Sequence, residues 1–261
     1  MRVLVGNLPV SSGIAMESSA DFEYQPKFQI DDGTTYSPGE VVDTSTFYCC
    51  SKRLMDIALS SIALLVFTVL MLPVIAVAIK IDSPGSVFFR QQRVGINRRR
   101  LRKQGYTGTD RRKILLPGCP FSIFKLRTMY IDAEADGPQW ASADDPRVTR
   151  VGRILRRTRL DEAPQFFNVL RGEMSLIGPR PERLCFIRKL EKTIPHYQDR
   201  LHIKPGITGL AQTQNGYDRN IDTVRRKVEL DCLYIKNPSI ITDLSILIST
   251  VRVVFTGDGA H

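Results

Sequence analysis

The sequence predicts an α+β, mainly helical protein held at a membrane by one broken apolar helix near its N-terminus. Three observations predict it. Residues Ile57 to Ile79 run for 23 positions without a charge. Basic residues stand on both flanks of that run, and beyond it two stretches of period-two alternation give way to helical spacing.

Composition narrows the chemistry before any element is placed. With 261 residues, 43% of them apolar, the chain has material for a core. Residues 1 to 46 hold two basic and seven acidic residues, a charge of −5, so the remainder of this +10 chain carries +15. Such an excess calls for an anionic partner: a nucleic acid, lipid headgroups or a phosphorylated substrate. Cys49, Cys50, Cys119, Cys185 and Cys232 form no CxxC pair and are odd in number, against a disulfide framework or a zinc site. Three scattered histidines give a Ser/His/Asp triad little to draw on. Chemistry is left to carboxylates and cations.

In chain order, residues 1–46 read as a flexible acidic tail without the basic-then-apolar order of a signal peptide. The apolar run follows, within an expected membrane segment 47–85. As a helix it is about 35 Å long, enough for a bilayer core of about 30 Å. Lys52 and Arg53 precede it and Arg90, Arg93 and Arg98 to Arg100 follow, so positive charge draws both ends to the cytoplasm. Pro73 removes a backbone donor inside the run, and Ser60, Ser61 and Thr68 are candidates to absorb freed carbonyls. A helix that enters, breaks and returns to the same face fits both facts; the plainer alternative, a proline-kinked single span, satisfies the charge at only one end.

Residues 86–261 read as a catalytic domain. Ser86–Gly95 and Phe121–Met129 alternate like short strands. Between Arg90 and Lys113 stand ten basic residues against Asp110 alone, with Tyr106 the one aromatic ring. A nucleic-acid arm would interleave stacking rings, so no nucleic acid is expected; a basic face toward anionic lipids is. Arg159–Gly172 places Leu160, Ala163, Phe166, Phe167 and Leu170 at helical spacing. Thr158, three residues before Asp161, is the expected cap of that helix. Arg183–Thr193 and Thr223–Lys236 read as further helices. Ile240–Phe255, apolar but broken by Asp243 and Arg252, suits an amphipathic helix lying in the interface.

Between Arg147 and Gly209 the charges gather. Arg153, Arg156, Arg157 and Arg159 run up to the adjacent carboxylates Asp161 and Glu162, which only nearby cations can keep ionised when partly buried. Pro179 and Pro181 hold Arg180 on a backbone of restricted freedom, as bidentate phosphate recognition favours. Lys204 stands beside a Pro-Gly turn. Each feature alone has a plainer reading: acids in a first helical turn, or a surface turn bearing an arginine.

Together, KRLMDIAL, VFFRQQRVG, FSIFKLRTM, RLDEAPQFFNVLRGEMSLIGPRPE, KPGITGLAQ and the run from VELD to the C-terminus resemble the bacterial sugar transferase family, the monotopic phosphoglycosyl transferases. The resemblance covers residues 50 to 260 in order. It implies a monotopic protein of the bacterial inner membrane, with a re-entrant helix and a cytoplasmic-face catalytic domain. It implies transfer of a sugar 1-phosphate from a UDP-sugar to polyprenyl (undecaprenyl) phosphate, with UMP released and Mg2+ required. By position, Asp161 would be the nucleophile and Glu162 its partner in metal binding or proton handling. Lys125, Arg156 and Arg180 would face the diphosphate, and Asp231 matches a further substrate-site position. The family break is often Ser-Pro, whereas here Leu72 precedes Pro73. Sugar identity and polymer are unreadable, and a homodimer is left open.

Overall fold

The computed structural model describes residues 45–97, 116–135, 137–139, 145–214 and 221–256, with side chains to residue 253. Residues 1–44 of the expected tail and most of the basic insertion 97–120 lie outside these residues, while the tail's last two positions, Ser45 and Thr46, open the first helix. All described residues belong to one compact unit.

Helix α1 (Thr46–Val66) begins at Ser45, whose Oγ accepts from the Tyr48 amide at 3.2 Å. It runs through a wide turn, Phe67–Met71, into α2 (Leu72–Asp82). Within the turn the Leu72 amide reaches back five residues to the Phe67 carbonyl. Pro73 explains the widening, because it offers no amide to the ladder and crowds the preceding turn. The expected serine relief is not what the chain uses. Ser60 is buried, yet its hydroxyl has no hydrogen-bond partner among the described residues.

Both ends of this 37-residue helical rod are fastened to the same domain. Near the start, Arg53 donates to the carbonyls of Val169 and Leu170 at 2.7 and 2.8 Å. The Asp56 carboxylate accepts from the Ser175 hydroxyl and the Leu176 amide at 3.0 and 2.9 Å. At the far end Asp82 accepts from the Val151 amide at 2.9 Å, and Arg127 donates to the carbonyls of Ser83 and Pro84. Between those anchorages one side is bare: Ile62, Leu65, Val69, Leu70, Val74 and Val77 are all exposed.

The predicted strands form an antiparallel ribbon, β1 (Phe88–Val94) with β2 (Pro120–Leu126), pairing Phe88 with Leu126 and Val94 with Pro120. The domain continues through α3 (Arg150–Arg157), a tight turn at Leu160–Glu162 and α4 (Gln165–Leu170). Next come β3 (Ser175–Ile177), α5 (Leu184–Leu190), a tight turn Tyr197–His202 and β4 (Gly206–Thr208). Helices α6 (Leu210–Gln214), α7 (Ile221–Lys236) and α8 (Ile240–Thr256) close it. β3 and β4 pair in parallel, a contact the sequence pattern does not announce. Their approach requires glycine, since a Cβ on Gly206 would lie 2.2 Å from the Gly178 amide nitrogen.

Two readings are corrected. Thr158 does not open a helix; its hydroxyl donates backward to the carbonyls of Ile154 and Leu155 and finishes α3. The segment Arg159–Gly172 is therefore not one helix, because Pro164 lacks the amide that would carry a ladder from Leu160, and the carboxylates fall in the tight turn. Asp243, read as an interruption of an interfacial helix, is wholly buried instead. It accepts from Lys52 at 2.9 Å and from Tyr234 at 2.6 Å, binding α8 to α1 and α7. The opposite face of α8 exposes Ile241, Leu244, Ile248 and Val251 at amphipathic spacing.

Candidate active site

Arg159 sets the direction of the site. It takes a left-handed backbone, φ 56°, uncommon for a residue with a Cβ, and this reverses the chain between α3 and the turn carrying Asp161 and Glu162. Both carboxylates are buried. Asn168 on α4 then joins that turn to the ribbon: its side chain accepts from the Phe124 amide at 3.1 Å and donates to the Ser122 carbonyl at 2.7 Å. The next strand residue, Lys125, thereby comes to the carboxylates.

The pair is unequally neutralised. Lys125 Nζ lies 2.9 Å from Glu162 Oε1 and 3.9 Å from Asp161 Oδ2. Arg180 grips Glu162 with its fork, Nη1 to Oε2 at 3.2 Å and Nη2 to Oε1. Burial alone would raise the Glu162 carboxyl, but Arg180 and Lys125 outweigh it and hold the group well below the glutamate range. For Asp161, burial wins: it pushes the carboxyl up, Lys125 opposes, and the neighbouring Glu162 charge adds to the rise. Asp161 is thus the carboxylate whose charge is left least compensated.

Arg156 stands beside them, donating from Nε to Thr128 Oγ1 at 3.0 Å. Gly152 permits this, since a Cβ there would lie 2.1 Å from the Thr128 carbonyl oxygen and α3 could not seat on that backbone. Of the four arginines leading to the pair, Arg156 turns inward, whereas Arg153 and Arg157 are exposed. Asp231 reaches the site at one remove. It accepts from Arg200 Nε at 2.7 Å, and the same guanidinium donates to the Tyr197 hydroxyl at 2.8 Å and the Arg180 carbonyl at 3.1 Å. Beside Arg180, Glu182 accepts from Arg93 at 3.3 Å and Lys227 at 3.2 Å. Burial would raise it, yet these cations, with Arg200 and Arg180, bring it down to about 2.

Asp161, Glu162, Lys125, Arg156 and Arg180 are therefore brought together, with Asp231 behind them. Sequence reasoning missed Arg200, Asn168 and Thr128. Arg200 sits on an irregular turn with no periodicity to mark it, and its only forward signal is Asp231. Among the described residues no cluster of three or more His, Cys, Asp or Glu gathers as a metal cage. A magnesium ion does not need one: it takes one or two carboxylates together with substrate phosphates, and the under-compensated Asp161 beside Glu162 fits that donor set.

Comparison with known proteins points the same way. A family model described as bacterial sugar transferase matches residues 47–257. The chain is 44% identical over 217 residues to a UDP-N-acetylgalactosamine-undecaprenyl-phosphate N-acetylgalactosaminephosphotransferase of Aeromonas hydrophila, covering 83% of this chain and 46% of that protein. It is 39% identical over 214 residues to a UDP-glucose:undecaprenyl-phosphate glucose-1-phosphate transferase of Caulobacter vibrioides, covering 80% and 72%. A Klebsiella pneumoniae protein bearing that same description is 40% identical, with 41% of its length spanned.

Proposed function

The chain belongs to the bacterial sugar transferase family, and from that premise we propose that it moves a sugar 1-phosphate from a UDP-sugar onto undecaprenyl phosphate, by way of a covalent adduct at Asp161. The observation that carries this reading is the asymmetry of the pair. Glu162 is committed at both oxygens to Arg180 and Lys125, which leaves Asp161 as the carboxylate available for attack. The names of the relatives support the substrate class, and their differing sugars leave the sugar open.

The steps follow from charge. Lys125, Arg156 and Arg180 receive the diphosphate, so that one anion can approach another. An Asp161 oxygen attacks the β-phosphorus, the bond from that phosphorus to the bridging oxygen breaks, and UMP leaves with the electron pair. The phosphosugar is then an acyl phosphate on Asp161. An oxygen of the lipid phosphate attacks the same phosphorus, the bond from that phosphorus to the Asp161 oxygen breaks, and Asp161 leaves with the electron pair, restored as carboxylate. Mg2+, held by Asp161, Glu162 and the diphosphate oxygens, would supply further neutralisation of the phosphates.

The membrane arrangement that best serves this is re-entrant. Arg53 and Asp56 at one end of the apolar rod, and Asp82 at the other, bind one domain, and a single domain cannot lie on both faces of a bilayer. The wide turn before Pro73 would be the fold-back in this arrangement, setting the site at the height of the lipid phosphate on the cytoplasmic face of the inner membrane. This would be the first membrane step of a surface polysaccharide or glycoconjugate.

The test is UMP release from a panel of UDP-sugars with Mg2+ and undecaprenyl phosphate, paired with mass spectrometry of enzyme quenched without lipid acceptor. The wild type should carry a phosphosugar on Asp161. Asp161→Asn should carry none and lose UMP release by about 10³-fold or more. Normal turnover by the asparagine variant would refute the mechanism.

A further inference from the structure

The arginines before the catalytic turn divide between two jobs. From Arg147 to Arg159 the chain holds six arginines and no acidic residue. Arg156 turns to Thr128 and the site, while Arg150, Arg153 and Arg157 point outward from α3, spaced so that they share one face. Among the described residues none of the three meets a carboxylate. In their midst Ile154 is 63% exposed. A face turned to water more often alternates charge signs.

The inner side of α3 says where that face lies. Leu155 packs in one cluster with Phe67 and Ile79 of the apolar rod, and the Val151 amide is bonded to Asp82 where the rod ends. α3 is thus fixed beside the point at which the membrane helix regains charge. Two more isoleucines stand bare at this corner: Ile81 is 81% exposed, and Ile131, packed over the Gly85 turn, is 73% exposed.

We infer that the outer face of α3, Arg150, Arg153, Ile154 and Arg157 with Ile131 alongside, is a docking surface for anionic phospholipid headgroups. Its guanidiniums would fork onto lipid phosphates while the isoleucines enter the acyl boundary. Charge complementarity and continuity with the membrane helix commit it to this occupant. Such docking would hold the leading edge of the catalytic turn against the bilayer, separately from the anchorage that the apolar rod supplies.

The full chain in lipid nanodiscs tests this, with Trp140, its one tryptophan, changed to Phe and a new tryptophan introduced by Ile154→Trp. Brominated phosphatidylcholine should quench that tryptophan, more strongly when about 30% of the lipid is phosphatidylglycerol, and less in about 0.5 M salt. Replacing Arg150, Arg153 and Arg157 by Gln should abolish the phosphatidylglycerol dependence, at about fivefold in docked population per arginine lost. Replacement of all three by Lys should restore most of it, which separates charge from folding. Three results would overturn the inference: no quenching in either lipid, a lipid-charge dependence that survives the triple Gln variant, or a triple variant whose sole change is a raised KM for undecaprenyl phosphate in both lipids. The last would assign these arginines to the acceptor instead. Quenching does not require turnover, so it stands or falls apart from the proposed reaction.

Discussion

Glu162 and Arg180 share a two-bond fork, so a lysine at position 180 keeps the charge but surrenders one bond and the geometry. Arg180→Lys should lower kcat/KM by about 10- to 100-fold, on the order of 2 kcal/mol of transition-state stabilisation, measured as UMP release. Arg200 acts on that fork through backbone: it holds the Arg180 carbonyl while Asp231 and Tyr197 hold it. Asp231→Asn leaves a buried guanidinium short of its counter-charge and should cost on the order of 3 kcal/mol of stability. If the catalytic share of that loss passes through Arg180, then Asp231→Asn added to Arg180→Ala should lower melting temperature again but activity no further. Equal further losses of activity in both backgrounds would give Asp231 a separate role at the substrate. Glu182 supplies a pH test. Its pKa falls on folding from the ordinary glutamate value to about 2, so the folded state gains stability above about pH 5 and loses it as pH drops toward 2. Unfolding midpoints between pH 6 and pH 3 should fall less steeply in Glu182→Gln, which has no such proton to take up.

At the scale of elements, what the sequence made legible depended on run length and periodicity. The apolar rod and α8 were visible as apolar stretches, and the ribbon of β1 and β2 and helices α5 and α7 because their side chains repeat at 2 or 3.6. The turn carrying Asp161 and Glu162 was misjudged because Thr158, three residues before Asp161, mimics a helix cap, whereas Pro164 forbids the helix such a cap would start. β3 and β4 were invisible: three residues each are too short for alternation to show. Pro73 was legible as a break, but the wide turn that answers it was not, since nothing in the residue types says whether side chains or backbone will restore the lost bonds. That turn carries a prediction. Pro73→Ala would let Phe67–Leu72 close into ordinary α-helix, which a proline inside a helix opposes by about 3 kcal/mol. Rewinding those residues would rotate one end of the rod against the other and draw Arg53 and Asp82 away from the carbonyls and amide they bind. Activity should fall at least about tenfold while the helix content read by circular dichroism holds or rises. Full activity would mean that the wide turn before Pro73 does not set the position of the domain.

For the whole molecule, the candidate site was readable as a set of residues but not as an arrangement. Lys125, Asp161, Glu162 and Arg180 are separated by up to 55 positions, and only the fold shows that Glu162 takes both cations while Asp161 has the longer 3.9 Å approach of Lys125. The flanking charges of the membrane helix leave a question of the same kind. Attachment of both ends of the rod to one compact domain, through Arg53 and Asp56 at the start and Asp82 at the finish, supports the proposed return over a span. Cys49 and Cys50 are exposed near the start of the rod, ahead of its uncharged run, and Ser86 is exposed just after its end. A membrane-impermeant maleimide applied to sealed vesicles of known orientation should therefore reach Cys49 and Cys50 from the same side as a cysteine introduced by Ser86→Cys, each read in a chain lacking its other cysteines. A spanning helix would put these two positions on opposite sides of about 30 Å of hydrocarbon, and labelling from opposite faces would remove the physical basis for a site held at headgroup height.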